Sequence, residues 1–434
     1  MLYPAARTVT RYVSRPAPKG LRGRIRVPGD KSVSHRCLLL AAKAKGTSTI
    51  RGLSTGEDVA RTSLAVQSFG AVIEGDVTSA LRIEGGRLHE STRVINVGNS
   101  GTGIRLLSGW ASGIDALTVL EGDESIARRP MDRVAEPLRL MGAGIDGRDG
   151  GRFPPLVVRG GSLHGIDYRL PVPSAQVKGA VLLAGISADG ETTVREDVTT
   201  RAHTEELLTL CGADISVTPG SVTVRRSELS PIDLDVPGDP SQAAFWVVAA
   251  CVTPGSDLTV ERVYTGIGRA GFLDVLLRMG ADLELTDHDP GTSTSTIRAR
   301  YSALKATEIR GEEVPSLIDE IPVLSVAAAY AEGETVFADA AELKVKESDR
   351  ISTTVTALSS IGASAEPRAD GLAVVGSGGK RLAGGDVDAA GDHRIAMSMA
   401  VAAMAAAAPV AIEGWESVST SYPRFEEDYE RCAS

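Results

Sequence analysis

Five times in this chain of 434 residues an apolar run closes on Gly-Ala and a short strand-like segment follows. The copies are Phe69-Gly70-Ala71-Val72-Ile73, Met141-Gly142-Ala143-Gly144-Ile145, Cys211-Gly212-Ala213-Asp214-Ile215, Met279-Gly280-Ala281-Asp282-Leu283 and Ile361-Gly362-Ala363-Ser364-Ala365. Glycine at such a position adopts the left-handed conformation that ends a helix, so each copy reads as helix end, turn and strand. Successive glycines are about 70 residues apart, which is room for one supersecondary unit per period. A sixth unit is due at the C-terminal end, where Phe425 to Ser434 stops short of another Gly-Ala. A chain tied to this period has to fold as a tiling of similar units.

A second repeat lies above the first. Val27-Pro28-Gly29-Asp30-Lys31-Ser32 returns as Val236-Pro237-Gly238-Asp239-Pro240-Ser241, with an apolar helix predicted after each. The two copies are about three units apart, so two halves of three units are expected, changing over near Pro28 and again near Pro237. Residues 30–237 form one globular domain on this reading, and 21–29 with 238–434 form the other, which is discontinuous. The length supports it, since 434 residues exceed one ordinary core. Runs such as Ser48-Thr49-Ile50, Val94-Ile95-Asn96-Val97, Thr118-Val119-Leu120 and Leu258-Thr259-Val260 alternate with helical stretches. The class is therefore α/β (α+β), with helices packed inside and sheets outside as one arrangement. Two matched domains leave a cleft between them, the default place for a site.

Residues 1–20, with Arg11, Arg15 and Pro16-Ala17-Pro18 and no hydrophobic period, read as a loose N-terminal extension. Ile395 to Ile412 is apolar enough to approach the length of a membrane span. Its alanines, Ser398 and Pro409 favour a buried helix followed by a strand from Val410.

Charge placement points to the ligand class. Helix starts pair a capping or turn residue with a nearby cation at Asp30-Lys31-Ser32 with Arg36, at Asn99-Ser100-Gly101-Thr102-Gly103-Ile104-Arg105, at Thr200-Arg201-Ala202-His203-Thr204, at Ser348-Asp349-Arg350 and at Gly391-Asp392-His393-Arg394. Cations in a first turn oppose the helix dipole, by about 0.3–1 kcal/mol each when exposed, and an anionic ligand reverses that cost. The formal net charge is -10, which argues against nucleic acid or an anionic membrane as partner. Local positive charge is reserved for a site. Cys37, Cys211, Cys251 and Cys432 show no CxxC spacing and the histidines no HxxxH pair, so neither a metal nor a disulfide framework is expected. The N-terminal residues lack a signal-peptide core, which makes the cytoplasm the expected compartment. Lys31-Ser32 is not a P-loop, because that motif needs Gly immediately before Lys and Asp30 stands there. His203 and His393 each lie at a helix start, where a lone histidine is more often structural than an acid or base.

Pro28-Gly29-Asp30-Lys31-Ser32-Val33-Ser34-His35-Arg36, Gly98-Asn99-Ser100-Gly101-Thr102-Gly103-Ile104-Arg105, Arg129-Pro130-Met131, Ser174-Ala175-Gln176-Val177-Lys178, Asp319-Glu320, Val345-Lys346-Glu347-Ser348-Asp349-Arg350 and Asp392-His393-Arg394 together resemble the 5-enolpyruvylshikimate-3-phosphate synthases. The resemblance covers nearly the whole chain after the extension. It implies the enolpyruvyl transferase fold, two domains of three βαβαββ units each (an inside-out α/β barrel), with the active site in the interdomain cleft. It implies transfer of the enolpyruvyl group of phosphoenolpyruvate to the 5-hydroxyl of shikimate 3-phosphate with loss of phosphate. It implies no cofactor, no metal, small anionic substrates as the only partners, and a monomer.

Residue by residue, the resemblance assigns Lys31, Ser32, Arg36, Ser174, Ala175, Gln176, Arg201, Asp319 and Lys346 to shikimate 3-phosphate. Lys31, Gly101, Arg129, Gln176, Arg350 and Arg394 fall to phosphoenolpyruvate, with Arg105, Asp392 and His393 in support. Asp319 would take the hydroxyl proton, Glu347 would protonate the methylene carbon, and Lys31 would stabilise the leaving phosphate. An acid that donates at neutral pH needs a raised pKa, so Glu347 is expected to be buried. Its local spacing alone reads instead as an ion pair with Lys346 or Arg350.

The chain departs from the family in two places. His35 stands where many members carry Asn, and Thr420-Ser421-Tyr422-Pro423 stands where a Lys-Thr-Phe-Pro motif would contact phosphoenolpyruvate. Gly101 has no side chain to crowd glyphosate, so sensitivity is expected. The related transferase acting on UDP-N-acetylglucosamine would show Lys-Asn in place of Lys31-Ser32 and a loop cysteine acid, and none of the four cysteines lies in such a motif.

Overall fold

In a computed structural model, which describes residues 10–433, every Gly-Ala repeat is a helix end. The helices Glu57–Ser68, Asp132–Leu140, His203–Leu210, Gly271–Arg278 and Arg350–Ser360 each stop two residues before their glycine, and the strand begins two or three residues after it. All five glycines have positive φ, from +74° at Gly212 to +106° at Gly70. The period is thus a helix-stop signal, set by a conformation in which L side chains are strained.

The chain divides into two compact units, Gly29–Val236 and a second made of residues 10–28 with 237–433. Within them five four-stranded sheets share one order. Ile95–Asn96 pairs in parallel with Leu117–Glu121, which pairs antiparallel with Phe153–Arg159, which pairs antiparallel with Gly144–Gly147. Gly101–Ser112 is the crossover helix between the parallel strands and Asp132–Leu140 leads into the hairpin. Each such repeat is βαβαββ.

Two of these sheets borrow their first strand. Arg22–Ile25 directly precedes the helix Lys31–Lys43 but pairs with Asp257–Tyr264, whereas Asp233–Asp235 lies parallel to Gly46–Arg51. The Val-Pro-Gly-Asp repeat marks these two passages. Asp30 accepts a hydrogen bond from the Val33 amide at 2.9 Å, and Asp239 accepts one from the Ser241 amide at 2.8 Å, each capping a thirteen-residue helix.

The sixth sheet has three strands, and it corrects the reading of residues 1–20. Arg11–Ser14 runs antiparallel to Val410–Glu413, which is parallel to Gly385–Asp388. The Tyr12 ring stacks on Trp415 at 4.2 Å and the buried Ser14 hydroxyl donates to Ala400 O at 2.9 Å. The C-terminal residues form a helix, Phe425–Ala433, where the other units have a hairpin, so the edge of Val410–Glu413 is left for a strand from the opposite end of the chain. Residues 1–9 lie outside the described residues.

Each unit is built on three buried helices with its sheets around them. Lys31–Lys43, Gly101–Ser112 and Ala175–Gly185 bury ten, ten and nine residues, and Pro240–Val252, Ile321–Tyr330 and His393–Ala405 are buried throughout. The apolar run from Ile395 is therefore a short core helix and a strand. No helix among the described residues is long and apolar enough to cross a membrane. All four cysteines are buried free thiols.

The helices Gly101–Ser112 and Ala175–Gly185 cross so closely that a Cβ on Gly109 would lie 2.1 Å from Ala180 O. Backbone cannot swing aside as a side chain can. Gly109→Ala is expected to cost about 1–3 kcal/mol, the usual range for an overpacked core. A urea melt with an unchanged midpoint would contradict it.

Candidate active site

In the unit Gly29–Val236 the cations expected from the sequence gather at the N-terminal ends of the three buried helices. Arg36, one turn into Lys31–Lys43, is 2% exposed. Its Nε donates to Thr204 Oγ1 at 2.6 Å, Nη1 to Ser32 O at 2.9 Å and Nη2 to Ala175 O at 3.4 Å. One guanidinium therefore joins the Ser32, Ala175 and Thr204 segments. Burial pulls Arg36 down to about 10, against the opposing pull of Glu205 and Asp30. Lys31 Nζ lies 3.0 Å from Asp58 Oδ2.

The next helix start is tied to the first through His35. Its Nδ1 is 2.7 Å from Thr62 Oγ1, and its Nε2 is 3.4 Å from Ser100 Oγ, which caps Gly101–Ser112 by accepting from the Gly103 amide. Burial, then Lys31 and Arg36, push the imidazole well below its usual value. His35 is a neutral structural link, with no charge to offer an anion.

Gly101 leaves room for two guanidinia. A Cβ there would lie 2.5 Å from Arg129 Nη1 and 3.2 Å from Arg105 Nη1. Arg105 donates to Gln176 Oε1 at 2.8 Å, and Gln176 Nε2 donates to Thr102 Oγ1 at 2.9 Å. Ser174 caps the third helix by accepting from the Val177 amide at 3.3 Å. Arg105, Gly101, Arg129 and Gln176 are thus brought together.

Arg201 precedes the helix His203–Leu210, which starts later than the sequence implied. Ala202 holds the cap position without a side-chain bond, and Thr200 donates its hydroxyl to Glu196 Oε2 at 2.7 Å instead. The loop carrying Arg201 is anchored by Lys178, 1% exposed, whose Nζ is 3.0 Å from Glu196 Oε1 and 2.6 Å from Glu205 Oε1. Sequence reasoning quoted Lys178 in a motif and gave it no task.

In the second unit the centre is Arg350. It is fully buried and makes contacts with three carboxylates: Nε with Asp392 Oδ2 at 2.8 Å, Nη2 with Glu347 Oε2 at 2.5 Å and Nη1 with Asp319 Oδ1 at 3.3 Å. Lys346 Nζ is 3.4 Å from the same Asp319 oxygen. Burial lowers the guanidinium's proton affinity, but Asp392, Glu347 and Asp319 more than offset it and the net shift is upward. For Asp392 burial raises and Arg350 lowers, with a net shift downward. Asp392 also accepts from the Arg394 amide at 2.9 Å and from Ser348 Oγ at 3.1 Å, so it caps His393–Ala405 and fixes Arg350 at once. His393 is buried at that cap.

The expected burial of Glu347 is only partly met. Its side chain keeps 18% exposure and lies along Arg350 three residues on, which is the ion pair that the local spacing suggested. Arg394 Nη1 donates to Asp319 O at 3.0 Å. The segment lacking the family lysine is packed inward: Thr420 Oγ1 donates to Ser417 O at 2.7 Å, and the buried Tyr422 hydroxyl donates to Asp428 Oδ2 at 2.6 Å while accepting from Trp246 Nε1 at 3.0 Å.

Sequence reasoning missed a second buried cluster here. Arg269 Nη2 is 2.8 Å from Asp239 Oδ1 and Nη1 is 3.1 Å from Glu320 Oε1. The only cue was Asp239 at a position equivalent to Asp30.

The chemistry of the two helix-start clusters fits phosphate and carboxylate recognition: guanidinia held in place beside helix N-termini. The sequence model of one family, described as EPSP synthase (3-phosphoshikimate 1-carboxyvinyltransferase), matches residues 16–429. The chain is 46% identical over 412 residues to a 3-phosphoshikimate 1-carboxyvinyltransferase of Alkaliphilus metalliredigens, covering 94% of this chain and 96% of that protein. It is 47% identical over 415 residues to one of Phenylobacterium zucineum, covering 94% and 92%. Among solved structures, an EPSP synthase from Acinetobacter baumannii superposes with TM-score 0.87 at 40% identity over 98% of both chains. The enolpyruvyl transferase NikO of Streptomyces tendae shares the fold alone, at TM-score 0.77 and 19% identity over 97% of both chains.

Proposed function

The chain belongs to the EPSP synthase (3-phosphoshikimate 1-carboxyvinyltransferase) family, and from that premise we propose how its residues divide the work. The activity is transfer of the enolpyruvyl group of phosphoenolpyruvate to the 5-hydroxyl of shikimate 3-phosphate, with release of phosphate. Lys31, Ser32, Arg36, Ser174, Ala175, Gln176 and Arg201 hold shikimate 3-phosphate, joined by Asp319 and Lys346. Lys31, Gly101, Arg129, Gln176, Arg350 and Arg394 hold phosphoenolpyruvate.

The supporting observation is that Asp319 and Glu347 share one guanidinium, that of Arg350. Asp319 takes the proton of the 5-hydroxyl as its oxygen attacks carbon 2 of phosphoenolpyruvate. Glu347 delivers a proton to carbon 3, and the sum is a ketal phosphate. Collapse returns the carbon 3 proton to Glu347, breaks the bond from carbon 2 to the phosphate oxygen and expels phosphate, whose charge Lys31 meets and which leaves with the proton that Asp319 had taken. A phosphoenolpyruvate anion arriving at Arg350 competes with Glu347 for that guanidinium and adds negative charge beside it. Both effects raise the carboxyl's proton affinity, as its role requires.

Phosphate release from phosphoenolpyruvate, assayed at neutral pH without added metal, tests the assignment. Release that needs shikimate 3-phosphate supports it. Release with UDP-N-acetylglucosamine and not with shikimate 3-phosphate refutes it. The same proposal includes a cytoplasmic monomer, for which sedimentation near the chain mass of 45.2 kDa is the check.

Glyphosate sensitivity follows from Gly101. At low phosphoenolpyruvate, millimolar glyphosate is expected to suppress turnover. Gly101→Ala would place its Cβ 2.5 Å from Arg129 Nη1, so Arg129 must move. A displacement costing about 1 kcal/mol raises the KM for phosphoenolpyruvate roughly fivefold. Undiminished turnover of the unaltered enzyme in glyphosate would count against the placement of Gly101.

A further inference from the structure

Glu320 follows the proposed base and has no part in the chemistry above, yet its side chain is completely buried. Its Oε1 lies 3.1 Å from Arg269 Nη1 and 3.6 Å from Arg394 Nη1, and it accepts a hydrogen bond from the Ser241 hydroxyl. Its Oε2 is buried and accepts no hydrogen bond among the described residues. A carboxylate with one orphaned oxygen in a closed core is costly, and a well-packed apolar residue would be cheaper to bury. Its retention calls for a task beyond stability.

The geometry supplies one. Arg394 Nη1 stands between two groups of the same short turn: it donates to the main-chain O of Asp319 at 3.0 Å and faces the carboxylate of Glu320. Asp319 and Glu320 belong to the single 3-10 turn Ile318–Glu320. On the far side Arg269 holds the Glu320 oxygen and, through Asp239, the cap of Pro240–Val252. The Ser241 hydroxyl also accepts from Arg269 Nη2 at 2.7 Å.

We infer that Glu320 is a positioning residue for phosphoenolpyruvate binding: it fixes the Arg394 guanidinium. This rests on the reading that Arg394 holds phosphoenolpyruvate. A carboxylate behind the guanidinium limits its rotation and leaves its outer N–H groups for the ligand. Glu320→Gln keeps the shape and the oxygen that Ser241 and Arg269 bond, but removes the charge facing Arg394.

The test is a double-mutant cycle on the KM for phosphoenolpyruvate, with Glu320→Gln, Arg394→Lys and the pair, accompanied by the dissociation constant for shikimate 3-phosphate and the unfolding temperature. Glu320→Gln is expected to raise the KM at least tenfold while the shikimate 3-phosphate constant stays within about threefold. The double variant should be no worse than Arg394→Lys alone within about twofold, because Glu320 acts through Arg394. A Glu320→Gln enzyme with normal KM beside a crippled Arg394→Lys enzyme overturns the inference and spares the reading of Arg394. A normal KM in Arg394→Lys overturns that reading, and the inference with it. Multiplying effects, or parallel loss of both substrates with lowered unfolding temperature, mark a merely structural role. If Glu320→Gln yields no folded protein, Ser241→Ala takes its place in the cycle. A threefold rise in KM is then expected, and no rise refutes the inference.

Discussion

Glu347→Gln lowers kcat by about 10²–10⁴-fold, the range for losing one general acid or base, and leaves the dissociation constant for shikimate 3-phosphate within about threefold. Glutamine occupies the same volume and its amide oxygen still accepts from Arg350 Nη2, the bond seen at 2.5 Å, so the Arg350 cluster stays assembled. What it cannot do is give and retake a proton at carbon 3. Rapid-quench kinetics would separate the steps: the variant should form almost no ketal phosphate from the two substrates. A kcat within tenfold of the unaltered enzyme would sink the assignment. Weak shikimate 3-phosphate binding with normal kcat would make Glu347 a binding residue.

Arg350→Met has the largest expected effect on stability. The guanidinium is 1% exposed and balances Asp392 at 0%, with Asp319 and Glu347 at its other nitrogens. Removing one partner of a buried ion pair costs about 3–5 kcal/mol, because the remaining charge keeps its desolvation penalty. For a unit of this size that lowers the unfolding temperature by about 10 °C.

The pH dependence carries a sign that overpacking or cavity effects would not produce. In the unaltered protein Asp392 has a lowered pKa. It contributes stability above the unfolded value of about 3.9 and loses it as pH falls through the folded value. Without Arg350 the buried carboxyl prefers its proton, its folded pKa lies above the unfolded one, and its contribution is lost as pH rises. The deficit of Arg350→Met should therefore be greatest at neutral pH and shrink toward pH 4. Thermal melts showing a pH-independent deficit would contradict this. Loss of phosphoenolpyruvate saturation in the same variant is the expected functional companion.

Features coded by one or two neighbouring residues were legible in the sequence. The Gly-Ala stops needed only a helix end and a glycine, and all five lie where the period put them. The capped starts at Asp30, Ser100, Asp349 and Asp392 are equally local. Features made by distant partners were not legible. Arg11–Ser14 has too few residues to show a period, and its pairing partner Val410–Glu413 is almost a whole chain away. Arg269 lies in no motif, and its partners Asp239 and Glu320 carry charges that look solvated until the fold buries them. Glu347 shows the opposite error: the chemical demand for a raised pKa suggested burial, while the three-residue spacing to Arg350 already described the ion pair.

The exchange of first strands sets a schedule for synthesis. Arg22–Ile25 leaves the ribosome early, but its partner Asp257–Tyr264 is translated over two hundred residues later, on the order of ten to forty seconds at cellular rates. Arg11–Ser14 waits longer still, for Val410–Glu413. In that interval the unit Gly29–Val236 is completed, its last strand Asp233–Asp235 closing onto Gly46–Arg51. One half can thus be finished while the other holds only two unpaired strands. Those strands, Arg-Tyr-Val-Ser and Arg-Gly-Arg-Ile, carry three arginines and a glycine in eight residues, a composition that keeps a waiting edge from finding the wrong neighbour.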